Sequence, residues 1–260
     1  MKHSGLVTPT HIERTMQIAF TAKHNSGCIS RQVGAVITDE DYAIKTIGWN
    51  TVPAGHTPCL FRDCYSLLSD RTEQPKLERL YSSYEQARES NKPNQKTFKQ
   101  CLEVKFGNPE NVNKQIFEGR NVAYCFKDIY FDVTKEKNQV HTRSLHAEEN
   151  AFLQISKYGG QSIVGGNLFT TASPCELCSK KAYQLGIKKI YYIELYPGIS
   201  QQHILSCGKK NENQTENYGR PEMILFEGAV GRAYFSLYQP IIPYKDEINE
   251  ILAHKLKSTD

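Results

Sequence analysis

An α/β sandwich, with one mixed five-stranded sheet between helical layers, is the fold class this sequence predicts. Three observations carry it. Val33–Thr38 is a near-continuous apolar run, and after Asp39-Glu40-Asp41 a second β-prone run returns over Tyr42–Gly48, a hairpin by its spacing. Three later segments, Asn167–Thr171, Lys189–Glu194 and Met223–Phe226, complete five strands. Helical segments precede the hairpin and flank the third strand, and such alternation builds a three-layer α/β/α sheet sandwich.

Taken in order, Thr10–Lys23 reads as a first helix. Ile12, Met16, Ile18 and Phe20 give it an imperfect apolar face, with Thr8 or Thr10 to cap it. Asn25–Arg31 is a turn-rich loop, and Trp49–Gly55 another. From about residue 60 to 138 the composition shifts to Lys, Glu and Gln. Helices are expected there over Leu77–Glu89 and Lys96–Val104, while Tyr124–Val133 is aromatic and β-prone. The segment reads as an insertion packed on the main domain, without a dense apolar core of its own. His146–Lys157 is helical, with Ala151, Phe152, Leu153 and Ile155 inward or near it, and Gly159-Gly160 ends it. Cys175–Leu185 is the next helix, stopped by Gly186; Ala229–Tyr238 and Asp246–Lys255 are the last. The expected organisation is one domain over 1–260, with the insertion at 60–138 and a C-terminal extension at 197–260.

Composition narrows the function. The chain has 260 residues, 39% hydrophobic and 23% charged, an ordinary soluble balance. No apolar run approaches the ~18 residues of a membrane span, and Met1-Lys2-His3-Ser4 opens no signal-peptide core. A cytoplasmic protein is expected. The net charge of +4 permits an anionic substrate but does not argue for a nucleic-acid groove. Eight cysteines then read as metal ligands and buried thiols, with Cys101, Cys125 and Cys207 in the second class.

The chemistry gathers between Leu145 and Cys178. His146-Ala147-Glu148 and Pro174-Cys175-Glu176-Leu177-Cys178 each stand at the start of a helix. His146, Cys175 and Cys178 offer one nitrogen and two sulfurs, a catalytic zinc set that leaves a fourth position for water. The H-x-E…P-C-x-x-C pattern resembles the signature of the zinc deaminases. A structural zinc knuckle or a redox Cys-x-x-C would use the same cysteines, but neither has a use for Glu148 or Pro174. Helix N-termini favour thiolates, and Glu148 is placed to carry protons in a hydrolytic deamination.

The chain resembles the cytidine/deoxycytidylate deaminase superfamily, closest to its deoxycytidylate branch. The resemblance rests on Gly27–Ile37, Gly48–Gly55, His146–Ala151 and Ser173–Cys178. It implies zinc-dependent conversion of dCMP or dCTP to the deoxyuridine nucleotide with release of ammonia, by a homo-oligomer, commonly a hexamer. The insertion, with Pro197–Ser200 and Gly228–Gly231, also resembles the deaminase part of anti-phage deoxycytidine-nucleotide deaminases, which deplete the nucleotide. Those commonly carry a P-loop domain, and no G-x-x-x-x-G-K-[ST] occurs here.

Carried over by position, Asn50 touches sugar or base, Arg31 the phosphate, and Tyr196 stacks nearby. The plainer alternatives are an Asn capping its own turn, a solvated Arg and a core Tyr. Thr51 stands where the family usually has Gly, a departure that bears on the loop conformation and on any effector site built on it. Members often have metal-binding Cys or His at Cys28, Cys59, Cys64 and His141. The resemblance therefore implies a second, structural zinc in a closed Cys₃His set, against buried thiols and a surface histidine. Two other functions compete. A nucleic-acid base deaminase needs a basic, aromatic channel, and a non-catalytic nucleotide-binding protein has no need of the intact His146, Glu148, Cys175 and Cys178 set.

Overall fold

The computed structural model describes residues 7–69, 80–90, 92–113, 119–136, 142–208 and 219–257. Strands β1 (Gly34–Thr38), β2 (Ile44–Trp49), β3 (Asn167–Ala172), β4 (Lys189–Glu194) and β5 (Glu222–Leu225) form one sheet in the order β2-β1-β3-β4-β5. β1 runs antiparallel to β2 and β3, while β3, β4 and β5 are parallel, so the sheet is mixed as expected. All of β1 and β3 is buried, which is why β1 reads as a continuous apolar run.

The period of two along each strand decides which helix it meets. Ala35, Ile37, Leu168 and Ile190 face one layer, where they pack with Ala147, Ala151 and Phe152 of helix α6 (Ala147–Tyr158) and Ala182 of α7 (Glu176–Gln184). Val36, Phe169 and Tyr191 face the other, against Met16 and Ala19 of α1 (His11–Ala22). Each such fully buried large side chain contributes about 1.5–3 kcal/mol. Phe169 and Tyr191 stack with ring centroids 4.5 Å apart. Thr10 caps α1 in a capping box with Glu13. Leu153, expected near the interior, is on the exposed face of α6.

The insertion holds α2 (Cys64–Leu68), α3 (Ser83–Gln86), α4 (Phe98–Phe106) and α5 (Phe126–Thr134). Two expectations fail here. The segment has a core of its own, built from Leu67, Tyr81, Phe98, Leu102, Tyr124 and Ile129 among others. Tyr124–Val133 is not a strand: Phe126, Ile129 and Val133 recur at helical spacing and turn one stripe into that core. The aromatic content suggested β; the periodicity was that of a helix. Of the helix expected over Leu77–Glu89, the start lies outside the described residues, and α3 covers only part of the rest.

After β4 come α8 (Ser200–His203), β5, α9 (Arg232–Tyr238) and α10 (Tyr244–Lys257). Among the described residues no helix is long and apolar enough to cross a membrane.

Candidate active site

His146 is the N-cap of α6 and Cys175 the N-cap of α7. Both helices therefore start at the same end of the sheet, where β3 ends at Ala172. Gly48 lets α6 come this close: a Cβ there would lie 2.3 Å from the Ala147 carbonyl oxygen. A bridge between Thr51 and Leu145 ties the residue before His146 to the loop after β2, and Asn150 Nδ2 donates to the Trp49 carbonyl at 3.0 Å. Thr51 is thus part of what holds the site.

His146 Nδ1 lies 3.3 Å from Cys175 Sγ and 3.5 Å from Cys178 Sγ, and all three ligand atoms lie within 4.8 Å of one another. Zinc bonded tetrahedrally to nitrogen at ~2.0 Å and sulfur at ~2.3 Å separates those atoms by about 3.5 Å, so the set fits the metal. The Cys178 hydrogen bond, then that of His146, hold the Cys175 thiol down to about 4, against the effect of burial. Cys178 is pushed up by that same bond and by burial, and His146 is raised by its bond to Cys175. Metal binding displaces protons from its ligands.

Glu148 is buried in the second position of α6. Burial pushes its carboxyl above the usual carboxylate range, opposed by hydrogen bonds to backbone and to Thr170 and by the charge on His146. Thr170 Oγ1 is 2.9 Å from Glu148 Oε1 and 2.8 Å from the Ala172 carbonyl oxygen; its one hydrogen serves one of them at a time. Nothing in the spacing of the sequence pointed to Thr170.

These groups open on a cavity of about 300 Å³, whose walls include Arg31, Asn50, Glu148, Cys175 and Tyr196. Asn50 Oδ1 accepts from the Val33 N–H at 2.7 Å, and Nδ2 donates to the Arg31 carbonyl at 2.7 Å. The side chain thus braces the loop before β1 while it faces the cavity. Arg31 lies 3.7 Å from Glu194 Oε2, and its guanidinium carbon is 5.5 Å from the centre of the Tyr196 ring. Tyr196 is fixed by its N–H, which donates to Ser173 Oγ at 2.7 Å.

The set expected for a second metal is not assembled among the described residues, where His146, Cys175 and Cys178 form the only such cluster. Cys28 and Cys59 line the cavity, but Cys64 is turned into the insertion core beside Leu67, and burial pushes its thiol up to about 12. His141 lies outside the described residues. Of the other cysteines, Cys101 is buried as expected, Cys125 is half-buried on the cavity wall, and Cys207 is exposed.

Residues 82–194 match the model of the cytidine and deoxycytidylate deaminase zinc-binding region. A deoxycytidylate deaminase of Enterobacteria phage T2 is 30% identical over 187 residues, 70% of this chain and 78% of the phage protein. The deoxycytidylate deaminase of Schizosaccharomyces pombe is 26% identical over 81% of this chain and 45% of its own length. The crystal structure of dCMP deaminase from the cyanophage S-TIM5 in complex with dCMP and dUMP aligns over 85% of this chain and 99% of that one, with a TM-score of 0.44 and 23% identity. The extent of the phage T2 match, together with the zinc-binding region, shows that this chain is a deaminase and belongs to the cytidine and deoxycytidylate deaminase family.

Proposed function

We propose that this chain deaminates a free deoxycytidine nucleotide, dCMP or dCTP, giving the deoxyuridine nucleotide and ammonia. The observation that carries the reading is Glu148: a buried carboxylate, held by Thr170, beside a nitrogen-and-sulfur triad on the wall of a nucleotide-sized cavity. His146, Cys175 and Cys178 would hold the zinc. When bound, the metal supplies Lewis acidity that brings a water's pKa to about 7.

Glu148 takes a proton from the attacking water and delivers it to the ring nitrogen N3. Water oxygen bonds to C4, the C4–N bond breaks, and Glu148 passes the second proton to the departing amine. Burial raises the Glu148 carboxyl, which makes it a better proton acceptor than a solvated carboxylate, and its position beside the triad lets it carry both protons. Asn50, Arg31 and Tyr196 stand on the walls that would orient sugar and phosphate.

Phage relatives that carry the name deoxycytidylate deaminase support the substrate class. The resemblance to anti-phage deaminases extends the proposal to nucleotide depletion during infection. Exposed Phe235, Leu237, Ile251 and Leu252 on α9 and α10 support a homo-oligomer, to be checked by light scattering at micromolar concentration.

The test is ammonia release from cytidine, deoxycytidine, dCMP, dCTP and single-stranded DNA. Activity is expected on the nucleotides, with Glu148→Ala lowering turnover by roughly 10²–10⁴-fold while zinc is retained. Activity on single-stranded DNA alone, or near-normal rates from Glu148→Ala, would reject the reading.

A further inference from the structure

Arg143 lines the cavity three residues before His146, and its anchor comes from the insertion. Arg143 Nη1 donates to Glu85 Oε2 at 2.7 Å, and the same oxygen accepts from Arg62 Nη2 at 2.7 Å. Tyr124 donates to Glu85 Oε1 at 2.7 Å, and the Ser82 N–H and hydroxyl each donate to Oε2 at 2.9 Å. Arg62 and Glu85 are fully buried, and the Arg143 side chain is 18% exposed.

Two guanidinium groups thus share one carboxylate, and among the described residues this network carries one positive charge more than negative. Arg62 Nη1 has no hydrogen-bond partner among the described residues. Tyr124 brings no charge, since burial pushes its hydroxyl well above the usual range. An uncompensated charge away from water is costly, and an anion beside it removes much of that cost. The excess charge reaches the cavity at Arg143, the more open of the two arginines.

The wall around Arg143 is built for the same purpose. Phe126 and Lys127 open α5 and line the cavity, and the Arg143 guanidinium carbon lies 5.4 Å from the centre of the Phe126 ring. Glu85 on one side and Phe126 on the other fix the plane of the guanidinium. It has more donors than the Glu85 bond uses, in a fork that matches phosphate oxygens. Lys127 adds a second cation on the same wall.

We propose that Arg143 and Lys127 join Arg31 on the cavity wall as phosphate ligands of the deoxycytidine-nucleotide site, and that Glu85 is the positioning residue that holds Arg143 there. The proposal rests on the deamination reading above. It makes the insertion part of substrate recognition: Glu85 and Lys127 belong to it, while His146 and Glu148 belong to the sheet sandwich.

The test is steady-state ammonia release from deoxycytidine, dCMP and dCTP by the full chain and by Arg143→Ala, Arg143→Lys, Lys127→Ala and Glu85→Gln, each first checked for a cooperative melt. The readout is the ratio of kcat/KM on nucleotide to kcat/KM on nucleoside. Arg143→Ala is expected to lower it roughly 10- to 100-fold, mainly through KM, the effect of losing one charge-assisted contact. Arg143→Lys recovers part of the loss. Glu85→Gln lowers the ratio in the same direction although it does not reach the nucleotide; a fall in both rates together with an unmoved ratio would make it merely structural and overturn the positioning role. If Arg143→Ala does not fold, Arg143→Lys and Lys127→Ala decide, and an unchanged ratio in both overturns their role as phosphate ligands. No ammonia from any deoxycytidine substrate with the unmodified chain overturns the deamination reading itself; deamination with unchanged ratios overturns only the phosphate ligands.

Discussion

Thr170 on β3 stands 2.9 Å from Glu148 on α6, so a strand in the centre of the sheet sets the position of the carboxylate. Thr170→Val keeps the shape and removes the hydroxyl. Glu148 then loses a side-chain partner in a buried place, worth about 1–3 kcal/mol. The expected result is a fall in kcat of roughly tenfold or more, with Thr170→Ser near the original rate. Equal rates for Val and Ser would mean that the contact does not position Glu148.

Removal of the metal has its own signature. His146, Cys175 and Cys178 stand together at the starts of α6 and α7, so a zinc held there ties the two helices to each other. A chelator is therefore expected to abolish ammonia release and lower the melting temperature, with zinc restoring both. Cys178→Ser is expected to lose bound zinc and activity together, since two protein ligands remain. Zinc content per chain and the melt are read on the same samples.

Glu85 links acid stability to the insertion. Burial alone would raise its carboxyl, but the Arg62 hydrogen bond and the charges of Arg62 and Arg143 bring it from 4.5 down to about 2. A group lowered on folding contributes stability in full above pH 4.5 and loses it as pH falls towards 2. At pH 7, Glu85→Gln is expected to cost about 3–5 kcal/mol, the usual effect of breaking a buried pair. Melting temperatures of the two proteins should converge between pH 4.5 and 2; a constant gap across that window would contradict the assignment.

Gly48 is a packing prediction. An added Cβ would lie 2.3 Å from the Ala147 carbonyl oxygen and 2.6 Å from the Ala151 nitrogen, so α6 must move. Gly48→Ala is expected to cost about 1–3 kcal/mol by overpacking and to displace His146, lowering zinc occupancy and kcat. Gly160→Ala meets only Ile155 Cγ2 at 3.1 Å and serves as the milder control.

The sequence by itself determined the hairpin, the order of the five strands along the chain, the capped first helix and the triad with its carboxylate. Each of these is written in short-range spacing: a period of two, a Thr just before an apolar helical run, a His two residues before a Glu, two Cys three apart. Only the tertiary structure decided the rest. Phe126–Thr134 became a helix because its apolar stripe found the insertion core, which composition had hidden among lysines and glutamates. Cys64 went into that core, while Cys28 and Cys59 line the cavity. Thr170 meets Glu148 across 22 residues, and Glu85 meets Arg143 across 58. No local pattern marks such partners, because a hydrogen bond or ion pair between distant residues leaves no periodicity. It exists only once the sheet and the insertion have packed and the buried charge has had to find its counter-charge.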